Sequence, residues 1–152
     1  MKEFAPPGQL RRSTALLRPV QDPESIVKSF IADYYRWSER ATEFCKARGM
    51  EGMLKADVEY TELLSRYCRP DLDRQAIAFN SPPMHDPETE SIHDVVTEGE
   101  RTIVKTTNTT PSGFQDGFEN EDDFEYFFVL RNGKWFLEGL DYIDDEGRYP
   151  CL

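Results

Sequence analysis

Asn132-Gly133 sits between two alternating segments, Phe124–Arg131 and Lys134–Tyr142. This is a strong two-residue hairpin signal, because a type I′ turn needs positive φ at both central positions. Counting outward from the turn, Leu130 faces Trp135 and Phe128 faces Leu137. In the same count Tyr126 faces Gly139 and Phe124 faces Asp141. Side chains alternate along a strand, so these eight residues are expected on one face, apolar except for Asp141. The opposite face is mixed, with Phe127, Val129, Phe136 and Leu140 among charged residues. A lone hairpin is marginal in water, so the upstream chain must supply further strands and a cover.

That cover is expected from helices. Asp22-Pro23-Glu24 is a helix start: Asp22 caps, Pro23 suits the first turn and Glu24 suits the positive end of the dipole. Ile26, Val27, Phe30, Ile31, Tyr34, Trp37, Ala41, Phe44 and Cys45 then form an amphipathic stripe, and Gly49 ends it. The inner face around Phe30, Tyr34 and Trp37 is expected to pack on Tyr126, Phe128 and Trp135. A second helix is predicted over Met53–Tyr67, with Leu54, Val58, Leu63, Leu64 and Tyr67 inward and Arg69-Pro70 as its stop. Asp71–Phe79 has no clear period. Asn80–Pro87 holds three prolines and reads as a rigid connector, with a brief helical turn after Asp86. Strands are expected at Ser91–Glu98 and Thr102–Thr109, then a long acidic loop over Thr110–Asp123, the hairpin, and a polar exit from Asp144 to Leu152. Helices first and about four antiparallel strands afterwards indicate an α+β domain.

At 152 residues a single domain is expected, residues 22–152, preceded by a basic arm over residues 1–21. The arm has a net charge of +3, which leaves −14 on the rest of a chain whose total is −11. Such a balance argues against nucleic acid or an anionic membrane as partner and favours a basic one. No apolar run is long enough to span a bilayer, and the start has no apolar core of a secretory signal. Cys45, Cys68 and Cys151 are odd in number and far apart, so neither a disulfide framework nor a zinc site is expected, and a reducing cytoplasm fits. Asn108-Thr109-Thr110 matches a glycosylation sequon, which has no meaning in that compartment.

Two sets of residues carry candidate chemistry. Asp141, alone on the apolar hairpin face, would make a general base if buried, and His85-Asp86 would make a His–carboxylate pair. Asp141 has no evident second group on its face, the His85-Asp86 pair would need a Tyr or Cys as third member, and His85 and His93 fit no known metal-ligand spacing. The bland readings are a wet Asp141 at a strand end and a structural joint at His85. Asp141, Asp144, Asp145 and Glu146 lie close together but lack the spacing of a calcium loop, and no cofactor or metal is expected. The second set is Phe114, Asp116, Phe118, Glu119, Glu121, Asp122 and Asp123. Five of the ten residues 114–123 are acidic and interleaved with aromatics, a composition that steers and anchors a basic protein.

The long opening helix, the Pro-rich joint and the late Trp-bearing strand resemble the cone-shaped nuclear-transport-factor-2-like fold. Two stretches, Ser81-Pro-Pro-Met-His-Asp-Pro-Glu-Thr-Glu-Ser-Ile92 and Gly133-Lys-Trp-Phe-Leu-Glu-Gly-Leu-Asp-Tyr142 with its tail Asp144–Leu152, resemble the immunity proteins of that fold from bacterial polymorphic toxin systems. The resemblance implies a non-enzymatic protein that neutralises a cognate toxin domain, such as a basic nuclease. Partner contacts are then expected at Phe114, Asp116, Phe118, Glu119, Glu121, Asp122, Asp123, Asp144, Asp145 and Glu146. The rival expectations are a small isomerase, dehydratase or cyclase of the same fold using Asp141 or His85, and a scaffold that homodimerises through the outer sheet face. An interior filled by bulky aromatics would weigh against the enzyme.

Overall fold

The computed structural model describes residues 21–79, 83–111 and 117–152. The basic arm, up to residue 20, lies outside them. Two helices, α1 (Pro23–Arg48) and α2 (Met50–Ser65), precede five strands: β1 (Glu90–Glu98), β2 (Arg101–Pro111), β3 (Glu119–Arg131), β4 (Lys134–Asp144) and β5 (Gly147–Pro150). The strands form one open antiparallel sheet in sequence order. The α+β class is as expected, with five strands rather than four, because the polar exit after Asp144 turns back as β5.

The helix start works as its residues dictate. The Asp22 carboxylate accepts from the Ser25 backbone N–H at 2.8 Å. Ile26, Val27, Phe30, Ile31, Tyr34, Trp37 and Ala41 are all buried. Gly49, with φ 57°, both closes α1 and opens α2. The two helices approach so closely that a Cβ on Gly52 would stand 2.1 Å from the Phe44 carbonyl oxygen. Trp37 seals this seam by donating from Nε1 to the Ala56 carbonyl at 2.9 Å.

The face of α2 differs from expectation. Its inner stripe is Gly52, Ala56, Tyr60, Leu63 and Leu64, whereas Leu54 and Val58 point to solvent. Close approach of the backbones needs small residues at the seam, and Gly52 and Ala56 satisfy that before apolar size does. Arg69–Phe79 forms no regular element. The Gln75 N–H donates to the Leu152 carbonyl at 2.7 Å, and Ile77 and Phe79 lean on the core.

The hairpin turns at Asn132-Gly133, both with positive φ. Leu130 pairs with Trp135 and Phe128 with Leu137, as counted from the turn. Beyond that point the count fails. Glu138 is an extra residue in β4, so Phe127 pairs with Gly139, Tyr126 with Leu140 and Phe124 with Tyr142. This is a β-bulge, and it shifts the face of everything after it by one residue. Leu140 and Tyr142 therefore turn to the core, and Asp141 pairs with Glu125 on the outer face. The helix cover also meets the hairpin more narrowly than expected. Phe30 touches Tyr126 edge-on with centroids 6.0 Å apart, while Trp37 packs tilted against Tyr60 at 4.7 Å and edge-on against Phe79 at 6.0 Å. Trp135 is half-buried at the rim of the core.

Candidate functional site

The interior of the fold holds a polar cluster built from three elements and the Pro-rich joint. The imidazole of His85 is fully enclosed, 4.8 Å and perpendicular to Tyr34 and 4.6 Å from Phe124 between ring centroids. Its Nδ1 lies 2.7 Å from Glu90 Oε1. Glu90 Oε2 accepts from the Tyr126 hydroxyl at 2.7 Å and the Thr106 hydroxyl at 2.6 Å. Burial pushes the Glu90 carboxyl up, but His85 and the hydrogen bonds from His85, Thr106 and Tyr126 outweigh it and hold the group below its ordinary value. As a carboxylate it can only accept, so the Nδ1 proton donates to it. The Tyr126 phenol is raised well above its ordinary value by burial and by the Glu90 charge, which keeps it a donor. His85 Nε2 has no partner among the described residues. Asn108 extends the network, donating to the Met84 carbonyl at 2.9 Å and accepting from Thr89 at 2.6 Å.

His85 is buried at the Pro-rich joint, and its carboxylate partner is Glu90 rather than Asp86. Asp86 instead caps a turn, accepting from the Glu88 N–H at 2.9 Å. The cluster was not foreseen from sequence. The available signal was the polar alternation of β2, where Thr102, Thr106 and Asn108 share the inner face with Val104. Beside the cluster, a cleft of about 480 Å³ opens between α1 and the start of β1, with Lys28, Ile31, Glu90 and Ile92 on its walls.

Asp141 departs from its expected place. It lies on the outer sheet face, 3.5 Å from Arg148, which also meets Glu125 at 2.8 Å. Those two carboxylates, Glu125 first, raise the Arg148 guanidinium above its ordinary value. Such an exposed pair stabilises little, so Asp141→Asn should change folding stability by no more than about 1 kcal/mol in a urea titration. A larger loss would mean that Asp141 has a role beyond this pairing.

The acidic segment is not the continuous loop expected over Thr110–Asp123. β2 runs on to Pro111 and β3 begins at Glu119, so Glu119, Glu121, Asp122 and Asp123 are strand residues. Phe114 and Asp116 lie outside the described residues. Alternation sets Glu119, Glu121 and Asp123 on the outer face, and Asp123 accepts from the Thr107 hydroxyl at 2.7 Å. Asp122 turns inward and meets the Tyr142 hydroxyl at 3.4 Å. Burial first, then the Asp122 and Asp144 charges, raise that phenol. Phe118, immediately before β3, is 60% exposed.

Strand pairing brings the two acidic stretches together. Asp123 pairs with Ile143, so the Asp144–Glu146 turn lies beside the first residues of β3 at one end of the sheet. Asp144 shapes that turn by accepting from the Glu146 and Gly147 N–H groups at 2.8 and 3.1 Å, leaving Asp145 and Glu146 exposed. A shallow groove of about 530 Å³ adjoins it on the outer face, lined by His93, Lys105, Glu121, Asp123, Glu125 and Ile143. Among the described residues no group of three or more potential ligands is arranged to hold a metal ion, and no helix is long and apolar enough to cross a membrane. The three cysteines are free thiols.

Comparison with known proteins adds little. No family model matches the chain, and no curated protein matches it. Among solved structures, a SEC-C motif containing protein from Rhodopseudomonas palustris is similar at 12% identity, over 71% of this chain and 92% of that one, with a TM-score of 0.33.

Proposed function

We propose that this chain is an immunity protein: it binds and neutralises a cognate bacterial toxin domain whose surface is basic, such as a nuclease, and its sheet curves as in the cone-shaped nuclear-transport-factor-2-like fold. The observation that carries this reading is the pairing of Asp123 with Ile143, which sets the Asp144–Glu146 turn at the same end of the sheet as Glu119, Glu121 and the exposed Phe118. Carboxylates so placed accelerate encounter with a basic partner, and an aromatic anchor lengthens its stay. The rival enzyme needs reacting groups at a cavity. The interior around His85 is filled by Phe30, Tyr34, Phe124 and Tyr126, Asp141 is paired on the other face, and Glu90, the acid that borders a cleft, is held by three donors.

The test is binding kinetics against the cognate toxin domain, at low and high salt. Reversing Glu121, Asp123 and Glu146 to Lys should slow association by about tenfold at low salt and much less at high salt. Asp122 is left in place because it meets Tyr142. Phe118→Ala should instead speed dissociation. Unchanged association at low salt would remove this end of the sheet from the interface.

A further inference from the structure

The cleft between α1 and β1 opens where the chain enters α1. Glu24, Lys28 and Ile31 form its helical wall, with Pro87 and Ile92 opposite. At 100° per residue the three helix positions share one stripe with Tyr35 and Glu39, so the same face of α1 runs on past the cleft. Its far end is acidic. The Tyr35 phenol is raised by a hydrogen bond and the charge of Glu39, with smaller contributions from the Asp86 and Glu88 charges, which places all three acids around that ring.

Those acids are unmatched. The cations of α1 near them are engaged elsewhere: Lys28 pairs with Glu24 at 3.6 Å, Arg36 with Asp33 and Arg40 with Glu59. Among the described residues no cation pairs with Glu39, Asp86 or Glu88. Residues 1–20 carry the complement. They hold Lys2, Arg11, Arg12 and Arg18 against Glu3, four positive charges to one negative, and they join the described chain at Gln21, beside the cleft wall. Leu16, Leu17 and Val20 lie nearest that junction in sequence. The reach suffices. Tyr35 is thirteen residues past Asp22, about 20 Å along the helix, and the ten residues from Arg12 to Asp22 span up to about 33 Å.

We propose that residues 10–20 of this chain dock into the cleft, with Leu16, Leu17 and Val20 against Ile31, Pro87 and Ile92 and with Arg11 and Arg12 against Glu39, Asp86 and Glu88. A segment tethered at the cleft wall has an effective concentration of about millimolar, so contacts too weak to hold a free peptide hold this one. Glu121 and Asp123 also offer acid, but they lie on the outer face, across the sheet from α1. Docking closes the cleft beside Glu90 and neutralises the acids along α1. The end of the sheet is then left as the acidic surface that a basic partner meets.

The experiment follows tryptic cleavage of the full chain after Arg11 and Arg12, together with its backbone amide NMR spectrum. Glu39→Lys combined with Glu88→Lys, both at exposed positions, should speed that cleavage by about tenfold at low salt, and high salt should bring the unaltered chain up to the variant's rate. Replacing Arg11, Arg12 and Arg18 together by Ser should move the amide signals of Ile31, Tyr35 and Ile92. These three positions precede α1, so the spectrum reads docking even where the Lys substitutions disturb the helix. Equal cleavage rates in the two chains, with those signals unmoved, overturn the proposal. So do signals that move at Glu121 and Asp123 instead, which would seat the segment on the outer sheet face, or shifts that fade on dilution, which would seat it on a second copy.

Discussion

Glu90→Ala should cost the folded state about 3–5 kcal/mol, the loss typical of removing one partner from a buried charge network. Three donors converge on that carboxylate, from His85, Tyr126 and Thr106, at 2.6 to 2.7 Å. Without it, all three buried groups lose that acceptor. Urea denaturation of the purified variant measures the loss, and a value under about 1 kcal/mol would show that the network is not held as described. The same group predicts a pH dependence. The folded Glu90 carboxyl lies below its ordinary value of 4.5, so it binds fewer protons than in the unfolded chain. Its contribution is therefore fully present above the unfolded value and is lost as the pH falls through the folded one. Glu90→Gln, which keeps the shape, should flatten that acid limb of the stability curve. A limb of unchanged slope would assign it to other carboxylates.

Gly52→Ala should destabilise by about 2–3 kcal/mol, although the same change at an exposed helix position stabilises by about 1 kcal/mol. Helix propensity favours alanine, and the seam forbids it. The new methyl carbon would lie 2.1 Å from the Phe44 oxygen and 2.9 Å from the Cys45 nitrogen, which are backbone atoms inside α1. They cannot rotate aside, so the helices must separate and Trp37 loses its bond to the Ala56 carbonyl. Thermal unfolding distinguishes the two effects by sign, since a loss of this size lowers the midpoint of a chain this long by roughly 4–12 °C. A raised midpoint would mean that the helix seam is looser than this geometry.

What could be read from the sequence depended on how local the cause was. The cap at Asp22, the inner stripe of α1 and the Asn-Gly turn depend on neighbours in the chain, and all three stand as expected. The face of α2 did not, because it is decided by Phe44 on another helix. Leu54 and Val58 have the apolar character of core residues, but small size at Gly52 and Ala56 governs the seam. The joining of Asp123 to the Asp144 turn follows from strand pairing alone. Glu90 was invisible as a functional group, since one glutamate among many has no local mark of burial. Its setting comes from His85 on the Pro-rich joint, Thr106 on β2 and Tyr126 on β3.

The extra residue in β4 has a consequence for reading any chain of this architecture. Parity along a strand is a two-valued label, inward or outward, and Glu138 inverts it. Before the insertion odd-numbered residues of β4 point inward, and after it even-numbered ones do: Leu137 is buried, and so is Leu140. The strand therefore carries two hydrophobic codes in opposite phase, joined at Gly139, against which the Phe127 ring packs. Sequences compared across this point match in chemistry only when each half is phased separately. An alignment that absorbs the one-residue slip as a gap elsewhere will place Asp141 in the core and Leu140 in water.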